Sequence, residues 1–275
     1  MKNTAATFMQ AKEKKEKLAL LTAYDYSIAK LVDEAGINGI IVGDSLGMGI
    51  LGYKDTLSVT VEDIIHHARA VARGVSDALV IADMPFMSFQ TSVRDALVNA
   101  GRLMKETGAQ AVKLEGGREV CPQIRAMVEA SVPVMAHVGL MPQSVRSYGG
   151  FKIQGKDEAG ARKVLDAAKA VEEAGAFAVV LECIPAELAE LVTRSISIPT
   201  IGIGAGNACD GQVLVYLDML GMLSGFSPKF VKHYAEMGEQ MRAAFKQYAQ
   251  EVRDGVFPAA EHTFTVADEV LKKLY

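Results

Sequence analysis

The chain has 275 residues, a length that one large α/β barrel can use entirely. Its 50% hydrophobic and 23% charged content is that of an ordinary globular enzyme, and a net charge of -4 gives no broad basic field, which argues against nucleic acid as the main partner. Cys121, Cys183 and Cys209 are scattered without a CxxC pair, so neither a zinc ribbon nor a disulfide framework is indicated, and no apolar run nears the ~18 residues of a membrane span. A reduced cytoplasmic setting, with no membrane partner, is the expectation.

The chain opens on Lys12, Lys14, Lys15 and Lys17 interleaved with Glu13 and Glu16, which predicts the solvated face of a short helix. Residues 18–22 read as a first strand, and residues 27–35 as an amphipathic helix closed by Gly36. The second strand, Ile40-Ile41-Val42, stops at Gly43-Asp44-Ser45, and an acid at the exit of a buried strand costs free energy unless a partner meets it. A Gly-rich loop follows, and Thr60 to Asp63 opens a helix as a capping box. His66 and His67 within it point about 100° apart, so they read as surface or packing residues.

The strand-then-acid pattern returns at Leu79 to Asp83, at Ala111 to Glu115 and at Ala178 to Glu182. Lys113 shares a strand face with Glu115, and His137 ends a fifth strand predicted over 132–137. The connection from Val138 to Gly155 is too long for an ordinary turn and reads as a lid or binding loop. Helices are expected over 158–174 and 185–193, a seventh strand over 199–203 and an eighth over 213–217. Ser227-Pro228 marks the start of a long helix striped by Val231, Tyr234, Met237, Met241, Phe245, Tyr248 and Val252, and residues 266–275 look helical. Eight strand units alternating with helices predict a (β/α)8 barrel, a single domain spanning 1–275 with a short N-terminal and a long C-terminal helix.

In such a barrel the strand ends share one mouth, and carboxylates gathered there repel unless a cation neutralises them. Oxygen ligands without a Cys or His cluster favour Mg2+, and Asp44, Asp83 and Glu115 from neighbouring strands form the natural triad. Glu182, across the barrel, is left free to move a proton. An open metal position beside Lys113 suits a chelating 2-oxo acid, whose developing enolate charge Lys113 would hold; the alternative role of Lys113 is a salt bridge to Glu115 or a barrel neighbour. His137 either polarises the substrate or hydrogen-bonds a carboxylate. The glycines around Ile203 and Ala205 form only a weak phosphate signal, lacking GxGxxG and P-loop spacing.

The blocks Thr22-Ala23-Tyr24-Asp25, Val42 to Met48, Ala82-Asp83-Met84-Pro85-Phe86, Val112 to Gly117, Pro142 to Val145, Gly149 to Lys152, Leu181-Glu182-Cys183 and Ile201 to Asn207 occur in one order. In them the sequence resembles the 3-methyl-2-oxobutanoate (ketopantoate) hydroxymethyltransferase family. That resemblance implies a Mg2+-dependent barrel that adds the one-carbon unit of 5,10-methylenetetrahydrofolate to 3-methyl-2-oxobutanoate, giving 2-dehydropantoate in pantothenate biosynthesis. It makes Asp44, Asp83 and Glu115 the metal site, Asp44, Ser45, Asp83 and Lys113 the oxo-acid site, Glu182 the proton acceptor, and the assembly a homo-oligomer, a decamer by family pattern. Ser58, Ala136, Met141 and Leu217 depart from the family's usual Pro, Gly, Thr and His, and none removes a metal or base residue. A Mg2+-dependent lyase of the phosphoenolpyruvate mutase and isocitrate lyase type is the alternative.

Overall fold

Most barrel strands are short runs rich in β-branched residues or leucine, as in Leu18–Thr22, Gly39–Val42, Leu79–Asp83 and Ala178–Glu182. The computed structural model describes residues 2–223 and 228–274. Its strands are β1 Leu18–Thr22, β2 Gly39–Val42, β3 Leu79–Asp83, β4 Ala111–Glu115, β5 Val134–Gly139, β6 Ala178–Glu182, β7 Thr200–Ile203 and β8 Gly211–Leu214. All run parallel in sequence order around a closed barrel, and β8 returns to β1 with Gly211 opposite Leu18. The (β/α)8 expectation holds.

Side chains alternate across a strand, so one face of each strand fills the barrel. Leu20, Ile41, Ile81, Ala111, Met135, Val180, Ile201 and Val213 belong to one apolar cluster. Continuing along the same faces of β3 to β6, the inward positions become Asp83, Lys113, Glu115, His137 and Glu182. The polar mouth thus stands on an apolar floor.

Helix Ala5–Lys14, capped by Thr4, adds to that floor. Phe8 is fully buried, meets Phe177 edge-on at 6.0 Å, and lies where a Cβ on Gly39 would come within 3.0 Å of its ring. Lys12 departs from the expected solvated face: its Nζ donates to Thr193 O at 2.9 Å, Ile198 O at 3.0 Å and Asp210 Oδ2 at 2.9 Å. Carbonyls at and beyond the C-terminal end of helix Ala186–Ser195 need a donor, and Lys12 supplies it.

Further boundaries differ from the sequence reading, β5 running over Val134–Gly139 rather than 132–137. β8 begins at Gly211 and ends at Leu214, because the Tyr216 amide turns to the Thr22 side-chain oxygen at 3.1 Å and leaves the ladder. Asp218 therefore sits in the helical turn Tyr216–Met219. The long C-terminal helix is Met237–Arg253, while Ser227, its expected cap, lies outside the described residues. The amides of Tyr234 and Met237 bond to Met219 O and Leu220 O, so the backbone before Met237 is engaged elsewhere than in a helix. Only Asp268–Leu271 is helical within 266–274.

By its contacts the chain divides into the barrel unit and a smaller unit drawn from residues 217–226 and 233–275. In the smaller unit Met241, Phe245, Tyr248 and Val252 are exposed along one face of helix Met237–Arg253. No described helix is long and apolar enough to cross a membrane.

Candidate active site

The mouth is assembled from the strand exits that the sequence marks. Gly43, Asp44 and Ser45 follow β2 and lead into the helical turn Leu46–Gly49. The Asp44 amide donates to Asp83 Oδ2 at 3.3 Å, while Lys113 Nζ donates to both Asp83 oxygens at 2.7 Å. Lys113 therefore pairs with its β3 neighbour rather than with Glu115. The Ser45 hydroxyl shares a 2.8 Å hydrogen bond with the Tyr24 hydroxyl, a partner to which the sequence reading gave no role.

Asp44, Asp83, Lys113, Glu115 and His137 are all buried. Burial first, and the Asp83 charge second, lift the Asp44 carboxyl to about 7. Burial and then the Asp44 charge hold Glu115 well above the usual carboxylate range. For Lys113 burial opposes the charge, and Asp83, Glu115 and Asp44 outweigh it, keeping the ammonium above the ordinary lysine range. Glu182 is more open, its side chain 15% exposed against 3% for Glu115.

His137 stands between these two acids. Nδ1 lies 3.8 Å from Glu115 Oε1 and Nε2 3.3 Å from Glu182 Oε2, yet neither contact is aligned as a hydrogen bond, and both ring nitrogens are buried without a partner among the described residues. A buried polar atom in that state is poised for a ligand, a water or a small rotation.

The connection after β5 runs across this mouth. It holds the 3-10 turn Pro142–Ser144 and the helical turn Val145–Tyr148. Gln143 reaches inward: its Nε2 donates to Asp44 Oδ2 and Met84 O, both at 3.0 Å, and its amide donates to Glu115 Oε2 at 3.0 Å. Arg146 pairs with Asp55 at 3.1 Å, and the Gln154 amide bonds Cys183 O at 3.0 Å. Gly139 lets β5 pass Glu182, since at its φ of +98° a Cβ would run into the Glu182 carbonyl.

Two cavities lie along the loop after β5, the smaller one reaching Glu115. One of about 190 Å³ is lined by Phe86, Glu115 and Gln143, and one of about 510 Å³ by Arg118, Tyr148, Arg162 and Lys163; Glu119 and Met141 line both. The sequence offered the long loop as a signal but nothing that distinguished Gln143 or Tyr148 within it.

Among the described residues, no three His, Cys, Asp or Glu side chains are already grouped as a metal-holding cluster. The donor set nevertheless fits a hard divalent cation. Among the described residues four acids, Asp44, Asp83, Glu115 and Glu182, gather at this mouth with one buried ammonium, that of Lys113, and burial first and their mutual repulsion second lift Asp44 and Glu115.

Residues 2–260 match the family described as ketopantoate hydroxymethyltransferase. The chain belongs to that family. Over 275 residues and the full length of both chains it is 67% identical to a 3-methyl-2-oxobutanoate hydroxymethyltransferase of Enterococcus faecalis and 66% identical to one of Clostridium novyi. The ketopantoate hydroxymethyltransferase family shares its fold with more distant barrels. Phosphonopyruvate hydrolase, solved in complex with oxalate and Mg2+, is 15% identical, with a TM-score of 0.62 over 98% of this chain and 94% of that one. Likeness at that level speaks for the fold alone.

Proposed function

We propose that this family member transfers a hydroxymethyl group from 5,10-methylenetetrahydrofolate to 3-methyl-2-oxobutanoate, giving 2-dehydropantoate for pantothenate biosynthesis. The observation that carries the reading is the convergence of Lys113 and four carboxylates at one mouth, in a chain 67% identical to a protein of that name. Asp44, Asp83 and Glu115 would hold Mg2+, Asp83 while also bonded to Lys113. Bound there, Mg2+ supplies Lewis-acid polarisation of the 2-oxo group, which acidifies the C3–H bond.

The chain's own residues do the rest. Lys113 has three N–H donors, spends two on Asp83, and can turn the third to developing negative charge on the oxo acid. Ser45, oriented by Tyr24, and Asp44 line the place for that substrate. Glu182, the most open of the acids, takes the C3 proton, with His137 Nε2 3.3 Å from its carboxylate. Water opens the donor's methylene bridge, breaking its two C–N bonds and releasing tetrahydrofolate, and the C3 carbanion adds to the resulting formaldehyde-level carbon, whose oxygen takes up a proton and becomes the new hydroxyl. The larger cavity, lined by Arg118, Arg162 and Lys163 together with Glu119 and Asp166, has the volume for such a donor.

The lyase alternative relies on a reactive cysteine or a dedicated loop. Cys121 is buried against Gly117 O and Ala170 O, and burial and then Glu182 push the Cys183 thiol up to about 12, so neither is a ready thiolate. The exposed apolar face of helix Met237–Arg253 supports self-association, so the working form is read as a homo-oligomer. The deciding experiment is proton NMR of 3-methyl-2-oxobutanoate in D2O. Collapse of the isopropyl methyl doublet only with protein and Mg2+, followed by product on adding methylenetetrahydrofolate, is the expected result. Neither change in folded, Mg2+-supplied protein would overturn the reading.

A further inference from the structure

We propose that Gln143 is a positioning residue that sets Asp44 and Glu115 in their cation-holding orientation and couples the loop over the mouth to them. This rests on the Mg2+ reading above. Gln143 is 95% buried, being 5% exposed, although it comes from a loop. Its carboxamide has only one workable orientation. The Met84 carbonyl can only accept, so the amide nitrogen must face it, 3.0 Å away, and the remaining N–H falls on Asp44 Oδ2 at 3.0 Å. The carbonyl end then accepts from Gln90 Nε2 at 3.2 Å, which holds the amide against rotation.

The main chain of the same residue acts on the second acid. Its N–H takes Glu115 Oε2 at 3.0 Å, so one residue binds one oxygen on each of two carboxylates carried by different strands. Among the described residues no other group hydrogen-bonds to the side-chain oxygens of Asp44 or Glu115, which leaves Asp44 Oδ1 and Glu115 Oε1 for a ligand. A glutamine that merely filled space would need neither the Gln90 support nor two donors aimed at separate acids. Outer partners of this kind orient the groups that touch a metal without touching it themselves.

Gln143→Met tests this, because it keeps length and volume and leaves the backbone bond to Glu115 in place. Mg2+ is titrated calorimetrically into the full-length protein without substrate, a readout independent of turnover. The expected result is Mg2+ binding weakened about 10- to 100-fold, the range typical of lost outer-shell partners. Deuterium exchange into 3-methyl-2-oxobutanoate should fall at limiting Mg2+ and recover with excess. A variant that melts like the parent and binds Mg2+ equally well overturns the proposal. Should Gln143→Met fail to fold, Gln90→Leu removes only the outer support and is expected to weaken Mg2+ binding about two- to tenfold, as for one lost neutral hydrogen bond. Unchanged binding there overturns the proposal too. A parent protein that binds no Mg2+ overturns the metal reading and this inference together, and that result precedes any variant.

Discussion

Asp44 and Glu182 are both acids at strand exits, yet burial gives them different work. Glu182 keeps contact with the open mouth, so Glu182→Gln should preserve oxo-acid binding and reduce deuterium exchange about 10²- to 10⁴-fold, the usual contribution of a positioned base. Loss of substrate binding along with exchange, measured by ligand titration, would argue against the base role. Asp44 works in the opposite regime. Its carboxyl, ordinarily near 3.8, is lifted to about 7, so the folded metal-free protein holds a proton that the unfolded chain has released. The stability linked to that proton is complete below about pH 4 and is lost as pH rises through about 7. Melting temperatures with chelator present should therefore carry a falling contribution over that window. Added Mg2+ should flatten it, and Mg2+ binding should tighten as pH rises, with proton release visible by calorimetry in buffers of different ionisation enthalpy. A flat metal-free profile would count against the burial argument.

At the scale of elements, helix Ala5–Lys14 is a stopper for the barrel floor more than a surface helix. Phe8→Ala should cost about 3–5 kcal/mol in urea unfolding, as for other large aromatic truncations, while leaving exchange per folded molecule unchanged. Loss of exchange in the folded fraction would mean that the floor and the mouth are coupled. The strands were legible because a short apolar run ending in Asp or Glu is a strong local pattern, as at Leu79–Asp83 and Ala111–Glu115. The less legible elements were those decided by distant partners. β8 ends where Thr22 captures the Tyr216 amide, and the last long helix starts only after Tyr234 and Met237 are engaged by Met219 and Leu220. Lys12 looked solvated because its acceptors, Thr193, Ile198 and Asp210, lie far along the chain.

For the whole molecule, the acids that meet at the mouth could be named from sequence because the barrel carries every strand end to one rim. Gln143 could not, since nothing local says that a loop glutamine will turn inward. Assembly is testable at the same scale. Sedimentation velocity should find the parent associated, and Phe245→Glu, placing a charge on the exposed stripe, should shift it to smaller species. A monomeric parent would remove the case for self-association. The mouth-crossing connection has a final consequence for how such a barrel can change. Barrel enzymes diversify by exchanging rim loops upon a constant frame. Here replacing residues 140–157 would carry away the donors to Asp44, Met84 and Glu115 together with the roof of the pocket. If the carboxylates hold a cation as proposed, substrate range and cation retention would be inherited as one trait: a lineage that redesigns this roof must rebuild those donors in the same step, or leave the roof alone and vary other rim loops.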